Sequence, residues 1–179
     1  MKVIAFDIDG VLADYGYSNM PKINVTFLDE MKSEYGSRVV FALVSNQGGL
    51  PFGVQSVRRP DGNTYPVPLT CARRLYAVSM AFRHRGMNIA HVRYCVFHPT
   101  ADRTSIQTAA KELRFHIGRH ADHFGYSWHV YSTQAARKPN PLMLLSVGAS
   151  AYYGDSDEDE QAAQAARIPF HRVRRFTGN

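Results

Sequence analysis

Short apolar runs alternate with amphipathic stretches along most of the chain, and this alternation restricts the folds that the chain can adopt. Runs rich in β-branched and aromatic residues predict buried strands at 2–6, 38–46, 91–97, 151–155 and 168–173. Stretches with helical spacing lie between them, at 24–36, 70–86, 102–125, 139–148 and 157–167. Strands that alternate with helices predict an α/β fold with a mostly parallel sheet.

The chain has 179 residues, the size of one domain, and no linker or repeat divides it, so a single domain over 1–179 is expected. Residues 48–69 are dense in Gly and Pro and contain the turn signal PDGN, which predicts a loop or hairpin flap. Residues 101–136 predict a helical insert. Its last part, 126–136, is ambiguous because YSWHVYS alternates as a strand does.

Polar side chains end three of the predicted strands. Asp7 and Asp9 follow the first strand, Ser45 and Asn46 end the second, and Asp155 ends the fourth. Ligands of parallel α/β sheets bind outside the carboxyl ends of the strands. These residues are therefore expected to converge on one site.

The residue types at this site suit phosphoryl transfer. A carboxylate such as Asp7 can attack phosphorus and form an acyl phosphate, while a second one, Asp9, can protonate the leaving alcohol and then deprotonate water. Asp7 and Asp155 offer the oxygen ligands that Mg²⁺ prefers. Ser45 and the amides after it could hold phosphoryl oxygens, and Lys138 could place a positive charge beside Asp7.

Each motif alone also has an ordinary structural explanation. DxD is common in turns and caps, SNQGG in loops, KPNP at helix starts, and GDSDED in the acidic first turn of a helix. Their joint occurrence after successive predicted strands favours the chemical interpretation.

Taken together, the motifs resemble those of phosphatases of the haloacid dehalogenase (HAD) superfamily. FDIDGV at 6–11 resembles the first motif, VSN at 44–46 the second, KP at 138–139 the third and GDSDED at 154–159 the fourth. The resemblance spans nearly the whole chain and implies a HAD-like fold, an α/β fold with a three-layer, Rossmann-like parallel sheet. The stretch between the first two motifs predicts one helix, which leaves no room there for a large cap domain.

The resemblance implies roles for the residues of the first two motifs. Asp7 would be the nucleophile and a Mg²⁺ ligand. Asp9 would be the general acid and base, with its backbone carbonyl on the metal, which suits phosphoryl transfer rather than dehalogenation. Ser45 and the amide of Asn46 would bind the phosphoryl group.

The third and fourth motifs complete the implied site. Lys138 would stabilise both the nucleophile and the bound phosphate, and would thus serve catalysis and phosphate binding. Asp155 would bind Mg²⁺, and Asp159 would support the ion directly or through water. Arg137, next to Lys138, is expected to contact the substrate.

A finer resemblance concerns the minimal-cap subfamily, which contains histidinol-phosphate phosphatases, heptose-bisphosphate phosphatases and polynucleotide 3′-phosphatases. SNQGG, the HP pair at 98–99 and RKPNPLML carry it. The first two kinds of enzyme have a Cys/His zinc loop, of which this chain keeps only Cys95. Phe97 stands where a histidine would be, and no Cys pair precedes Arg137, so a four-ligand zinc site is not expected.

Charge and composition bear on partners and location. The formal net charge of +6 permits binding to nucleic acid, although a solvated basic face would give the same charge. Tyr65, Trp128 and Tyr131 could stack on a base or belong to the core. No apolar run approaches the ~18 residues of a membrane span, and no signal-peptide core precedes Asp7, so a cytoplasmic protein without a membrane partner is expected. The oligomeric state stays open.

The sequence thus predicts a Mg²⁺-dependent phosphomonoester hydrolase that works through an aspartyl-phosphate. Its substrate would be a nucleotide or a nucleic-acid 3′-phosphate, or alternatively a small phosphorylated metabolite such as a sugar or amino-alcohol phosphate. A non-catalytic nucleic-acid-binding protein with a HAD fold is the alternative from another class. The presence of Asp7, Asp9, Lys138 and Asp155 together favours the enzyme.

Overall fold

The computed structural model describes residues 1–15 and 20–178 of the chain. Its strands are β1 Lys2–Phe6, β2 Val39–Asn46, β3 Ile89–Cys95, β4 Ser127–Tyr131, β5 Ala149–Gly154 and β6 Phe170–Arg172. Its helices are α1 Val25–Tyr35, α2 Leu50–Val54, α3 Pro68–His84, α4 Arg103–Phe124, α5 Leu142–Ser146 and α6 Asp157–Ala166, with a 3-10 turn at Gln134–Ala136. All six strands are parallel and lie in the order β4-β3-β2-β1-β5-β6. The predicted α/β fold with a parallel sheet is confirmed.

Helices cover both faces of the sheet and produce the three layers. Side chains of the strands alternate between two cores: in β1, Ile4 and Phe6 face one core, and Val3 and Ala5 face the other. The first core is closed by α1, α3 and α4, and the second by α5 and α6. The buried ring of Phe6 contacts the rings of Phe27, Phe41, Phe82 and Tyr153. This aromatic cluster fixes the end of β1, and therefore the position of the residue that follows it.

The connections between strands change direction at β1. From β1 the chain builds outward through β2, β3 and β4, and then returns to place β5 and β6 on the other side of β1. The carboxyl ends of β1 and β5 therefore flank a topological switch point, where open α/β sheets bind their ligands. Asp7 follows β1 and Asp155 follows β5, so both lie at this crevice.

The segment 101–136 differs from the helical insert that the sequence predicts. It contains α4, but its ambiguous part at 126–136 contains β4, which pairs with β3 and extends the sheet. The segment is therefore a regular helix-and-strand unit of the fold. Because β4 is a five-residue strand at the edge of the sheet, with most of its side chains partly or fully exposed, its hydrophobic pattern is weak.

The flap 48–69 consists of the short helix α2 and a turn. Arg58 pairs with Thr64 across the PDGN sequence, and the Asp61 carboxylate accepts the N–H of Asn63 at 3.0 Å within the turn. This hydrogen bond is the reason that Asp at this position favours a turn. The flap lies over the carboxyl ends of the strands and contributes to the cavity described below.

Two features are missing from the part of the chain that the structure describes. Between β1 and β2 these residues form a single helix, α1, and no cap domain. None of the described helices is long and apolar enough to cross a membrane.

Candidate active site

A cavity of about 410 Å³ opens at the carboxyl ends of β1, β2 and β5. Its walls bring together seven residues that the sequence predicts for the site: Asp7, Asp9, Ser45, Asn46, Arg137, Lys138 and Asp155. The eighth predicted residue, Asp159, is fully buried and contacts Lys138 from the first turn of α6. Residues that are far apart in the sequence thus meet at the switch point of the sheet.

Three carboxylates in this cavity could hold a metal ion. Oxygen atoms of Asp7, Asp155 and Asp159 all lie within 4.8 Å of one another. Asp7 is 8% exposed, and the contact of its Oδ1 with a side chain is the ion pair with Lys138 at 3.2 Å. One ammonium does not balance three carboxylates that lie this close together. A hard cation with oxygen ligands would reduce the repulsion among them.

The charge state of Asp7 reflects the crowding of acids. Burial raises the pKa of Asp7 from 3.8 to about 7, although the nearby ammonium of Lys138 opposes the rise. Repulsion by Asp159 and Asp9 adds to the effect of burial. A cation bound at this position would favour the carboxylate, which is the nucleophilic form.

Lys138 is the positive centre of the site. Its Nζ, on a residue that is 3% exposed, lies 3.2 Å from Asp7 Oδ1 and 2.5 Å from Asp159 Oδ1, and it donates to the Tyr152 hydroxyl at 2.8 Å. Burial alone would lower the pKa of Lys138, but the two carboxylates outweigh burial and raise it. Burial alone would raise the pKa of Asp159, but the ammonium of Lys138 and hydrogen bonds from Lys138, Ser156 and Tyr152 together lower it. Asp159 also closes the capping box of α6 with Ser156, which fixes its orientation.

Both oxygens of the Asp9 carboxylate have donors. Arg74, on the buried face of α3, places Nε at 3.1 Å and Nη2 at 2.9 Å from Oδ1. Gln47 donates from Nε2 to Oδ2 at 2.6 Å, and the same amide group donates to Ser45 Oγ at 3.1 Å. Arg74 also pairs with Asp14 at 3.3 Å. These contacts fix the orientation of Asp9 at the edge of the cavity.

Hydrogen bonds and an ion pair fix the predicted phosphate-binding residue Asn46 and the predicted substrate-binding residue Arg137. The Asn46 side chain accepts the backbone N–H of Lys138 at 3.1 Å and donates to Glu158 Oε2 at 3.2 Å. Arg137 donates from Nη1 to the Phe97 carbonyl at 3.2 Å and lies 3.8 Å from Glu158. Arg137 therefore stands at the cavity rim with part of its guanidinium open to a ligand.

Asp155 is paired with an arginine from the C-terminal segment. Arg175 Nε donates to Asp155 Oδ2 at 2.5 Å. The close approach of Asp155 to the loop after β1 requires Gly10, since a Cβ there would lie 2.5 Å from the same oxygen. Gly10 also has a φ of +87°, a conformation that L side chains rarely adopt.

Aromatic side chains form one wall of the cavity. The Phe52 ring lies 5.0 Å from the ring of Tyr65 and 5.0 Å from that of His98, and all three residues line the cavity. Of the three residues that the sequence suggests for base stacking, Tyr65 is thus at the site. Trp128 packs against the first core and Tyr131 against the second, as their core interpretation predicts.

Sequence reasoning missed Gln47, Arg74, Tyr152 and Arg175. Arg74 does leave a signal: it is a charge on the apolar stripe of α3 formed by Cys71, Leu75 and Val78. Gln47 directly follows the second motif, so its proximity could have been inferred. Tyr152 has the pattern of an ordinary core residue, and Arg175 follows the last strand, so neither carries a local signal.

Cys95, the remaining member of the expected zinc ligand set, is engaged in a structural contact. It is fully buried, and its Sγ donates to the Thr133 carbonyl at 3.6 Å. Burial raises the pKa of this thiol and disfavours the thiolate that binds zinc. Among the described residues, the carboxylates of Asp7, Asp155 and Asp159 are the group suited to a metal ion.

The cavity thus combines a group of carboxylates around a buried lysine with an Asp9 side chain of fixed orientation. The chain matches no family model, no curated protein and no solved structure.

Proposed function

We propose that the protein is a Mg²⁺-dependent phosphomonoester hydrolase that acts through an aspartyl-phosphate on Asp7, as its resemblance to HAD phosphatases implies. One observation carries the proposal: Asp7, Asp155 and Asp159 converge at the switch point of the sheet, where the buried ammonium of Lys138 pairs with Asp7 and Asp159. This combination supplies a nucleophile, a permanent positive charge and the ligands for a hard cation in one cavity.

The first step forms the covalent bond. Asp7 attacks phosphorus, the bond from phosphorus to the ester oxygen breaks, and Asp9 gives its proton to the leaving alkoxide. Ser45 and the amide of Asn46 hold phosphoryl oxygens, while Lys138 neutralises charge beside Asp7. Mg²⁺ held by Asp7 and Asp155, with support from Asp159, would neutralise charge on the transferred phosphoryl group.

The second step regenerates the enzyme. Asp9, now ionised, takes a proton from a water molecule, the resulting hydroxide attacks phosphorus, and the bond to Asp7 breaks to release inorganic phosphate. Gln47 and Arg74 keep the Asp9 carboxylate oriented through this change. The same residue thus serves as acid and then as base, which requires a fixed position at the cavity edge.

Substitution of Asp9 separates proton transfer from structure. Asp9→Asn should lower kcat for an alkyl phosphate by about 100-fold or more, because an alkoxide leaving group needs a proton. A nitrophenyl phosphate leaves as a stable phenolate, so its first step should be affected far less. The release of the alkyl alcohol and of nitrophenol in a single turnover is measured for the wild-type protein and for Asp9→Asn. Equal losses on the two esters would show that Asp9 serves structure or metal geometry instead.

The aromatic wall favours a nucleotide or nucleic-acid 3′-phosphate as the substrate. Tyr65 and Phe52 present rings at the cavity, Arg137 stands at the rim, and the described residues place no cap domain over the opening. Bases stack on such rings, and phosphodiester charges are attracted by arginine. A sugar phosphate has no base to stack on the rings and no phosphodiester charges beyond its reacting phosphate.

A comparison of substrates at two salt concentrations tests this preference. The kcat/KM for a short 3′-phosphorylated oligonucleotide should exceed that for a sugar phosphate and should fall about tenfold between about 50 and about 200 mM salt. Tyr65→Leu should lower it by about tenfold through lost stacking. Tyr76→Leu is the matched control, because Tyr76 is exposed on α3 and does not line the cavity.

The alternatives give different results in the same experiment. A preference for the sugar phosphate with little dependence on salt or on Tyr65 would favour the small-metabolite phosphatase. Salt-sensitive binding of the oligonucleotide without hydrolysis of it or of a nitrophenyl phosphate, at saturating Mg²⁺, would favour the non-catalytic binding protein.

A further inference from the structure

The C-terminal segment 173–178 places Arg175 beside Asp155, one of the three candidate metal-binding carboxylates. Arg175 donates from Nε to Oδ2 of Asp155, whose side chain is only 2% exposed. The guanidinium of Arg175 also lies over the Tyr15 ring, 4.1 Å from its centre. Arg175 lines the same cavity as Asp7 and Lys138. A positive charge that is not part of the implied catalytic set therefore already contacts one of the candidate metal ligands.

The backbone of the segment fixes this position. Phe176 donates its N–H to the Gly10 carbonyl at 2.8 Å and accepts the N–H of Tyr15 at 2.8 Å. Val173 donates to the Gly154 carbonyl at 2.8 Å. Residue 175 is thus held between the loop after β1 and the loop after β5, next to Asp155. The backbone of the segment therefore holds Arg175 within reach of Asp155.

The side chain of Arg175, in contrast, is only half-buried. It is 46% exposed, so it can rotate into solvent once its contacts with Asp155 and with the Tyr15 ring are broken. Its interaction engages one oxygen of Asp155, a member of the group formed by Asp7, Asp155 and Asp159. A guanidinium 2.5 Å from this carboxylate repels a divalent cation bound to the same carboxylate, so the two positive charges compete for it.

We propose that Arg175 competes with the divalent cation for Asp155, so that the C-terminal segment sets the metal affinity of the site. The inference rests on the metal site of the proposed function. In the absence of metal, Arg175 offsets part of the charge of the buried carboxylates. When the metal binds, Arg175 moves toward solvent, where it is available to the phosphate charges of an incoming substrate.

Binding of Mn²⁺ alone, without substrate, tests the competition. The free Mn²⁺ in a titration of the full chain is measured by electron paramagnetic resonance. Arg175→Gln should lower the Kd for Mn²⁺ by about fivefold, the size expected for a half-exposed ion pair. Arg174→Gln removes the same charge from the adjacent, exposed residue and should change the Kd less than twofold. Asp155→Asn should weaken binding in any background.

A second measurement uses the unmodified protein. Phenylglyoxal reacts with accessible arginines, and mass spectrometry locates the product on each residue. Mn²⁺ should raise the rate at Arg175 severalfold and leave the rate at Arg174 unchanged. This readout does not depend on a substitution or on catalysis.

The outcomes separate this inference from the proposed function. If wild-type protein binds Mn²⁺ but Arg175→Gln binds it with equal or lower affinity, Arg175 does not compete and the inference is wrong while the metal site stands. Equal affinity together with a raised KM would assign Arg175 to substrate binding alone. If no variant binds Mn²⁺, both the metal site and the inference are wrong.

Discussion

Replacement of Asp7 by asparagine is expected to abolish turnover and, at the same time, to stabilise the metal-free protein. The loss of activity follows because an amide cannot form the acyl phosphate, and removal of a covalent nucleophile costs at least about ten-thousand-fold in kcat. Turnover is measured with a nitrophenyl phosphate at saturating Mg²⁺, after circular dichroism has shown that the variant is folded. Near wild-type turnover in this variant would exclude the covalent mechanism.

The gain in stability follows from the pKa of Asp7. Burial raises this pKa to about 7 in the folded chain, against 3.8 as its ordinary value. Between these two values the folded state binds more protons than the unfolded state, so the free energy of unfolding falls as pH rises through that window. Above pH 7 the Asp7 carboxylate is ionised in the folded state, and the full cost of burying its charge lowers the free energy of unfolding. The asparagine side chain of the variant has no charge to bury, so the cost disappears.

The expected gain for Asp7→Asn is therefore up to about 4 kcal/mol at pH 8 and close to zero at pH 4. Urea unfolding in the presence of a chelator measures it at both values. Asp122→Asn makes the same chemical change on the exposed face of α4 and should leave stability unchanged. A gain of equal size at both pH values would show that Asp7 is not the group that titrates in this window.

The sequence predicts the position of the site because that position depends on local pattern and sheet geometry. Parallel strands place their carboxyl ends at one edge, so the polar residues after β1, β2 and β5 had to meet once the strands were recognised. Asp7, Ser45 and Asp155 are therefore found from the pattern alone. Even a wrong description of 101–136 does not disturb this result, because β4 lies at the far edge of the sheet.

The partners of these residues could not be predicted in the same way. Arg74 reaches Asp9 from a helix 65 residues further along the chain, and Arg175 reaches Asp155 from the segment after the last strand. Such contacts depend on how helices and termini pack, for which local pattern holds no information. A charge on the apolar face of a helix, as at Arg74, does predict a partner elsewhere in the fold. Burial of a charge without a partner would cost too much free energy.

The same cost makes Lys138 important for the stability of the protein, because it pairs with two buried carboxylates. Lys138→Met should lower the free energy of unfolding by about 3–5 kcal/mol at pH 8, because it leaves Asp7 and Asp159 as uncompensated buried acids. Lys111→Met, on the exposed face of α4, is the control for loss of a lysine and should have little effect.

The loss caused by Lys138→Met should also depend on pH in a defined direction. Without the ammonium, the pKa of each of the two buried carboxyls lies higher in the folded than in the unfolded chain, so stability is lost as pH rises and regained below about pH 4.

Adding Asp159→Asn to Lys138→Met removes one of the two acids. The double variant should recover stability at pH 8, with a coupling energy of about 1–3 kcal/mol between the two positions. Urea unfolding of the four proteins, with a chelator present, measures this coupling. A loss that is the same at pH 4 and pH 8, or additive effects of the two substitutions, would mean that packing of the lysine stem rather than its charge holds the site together.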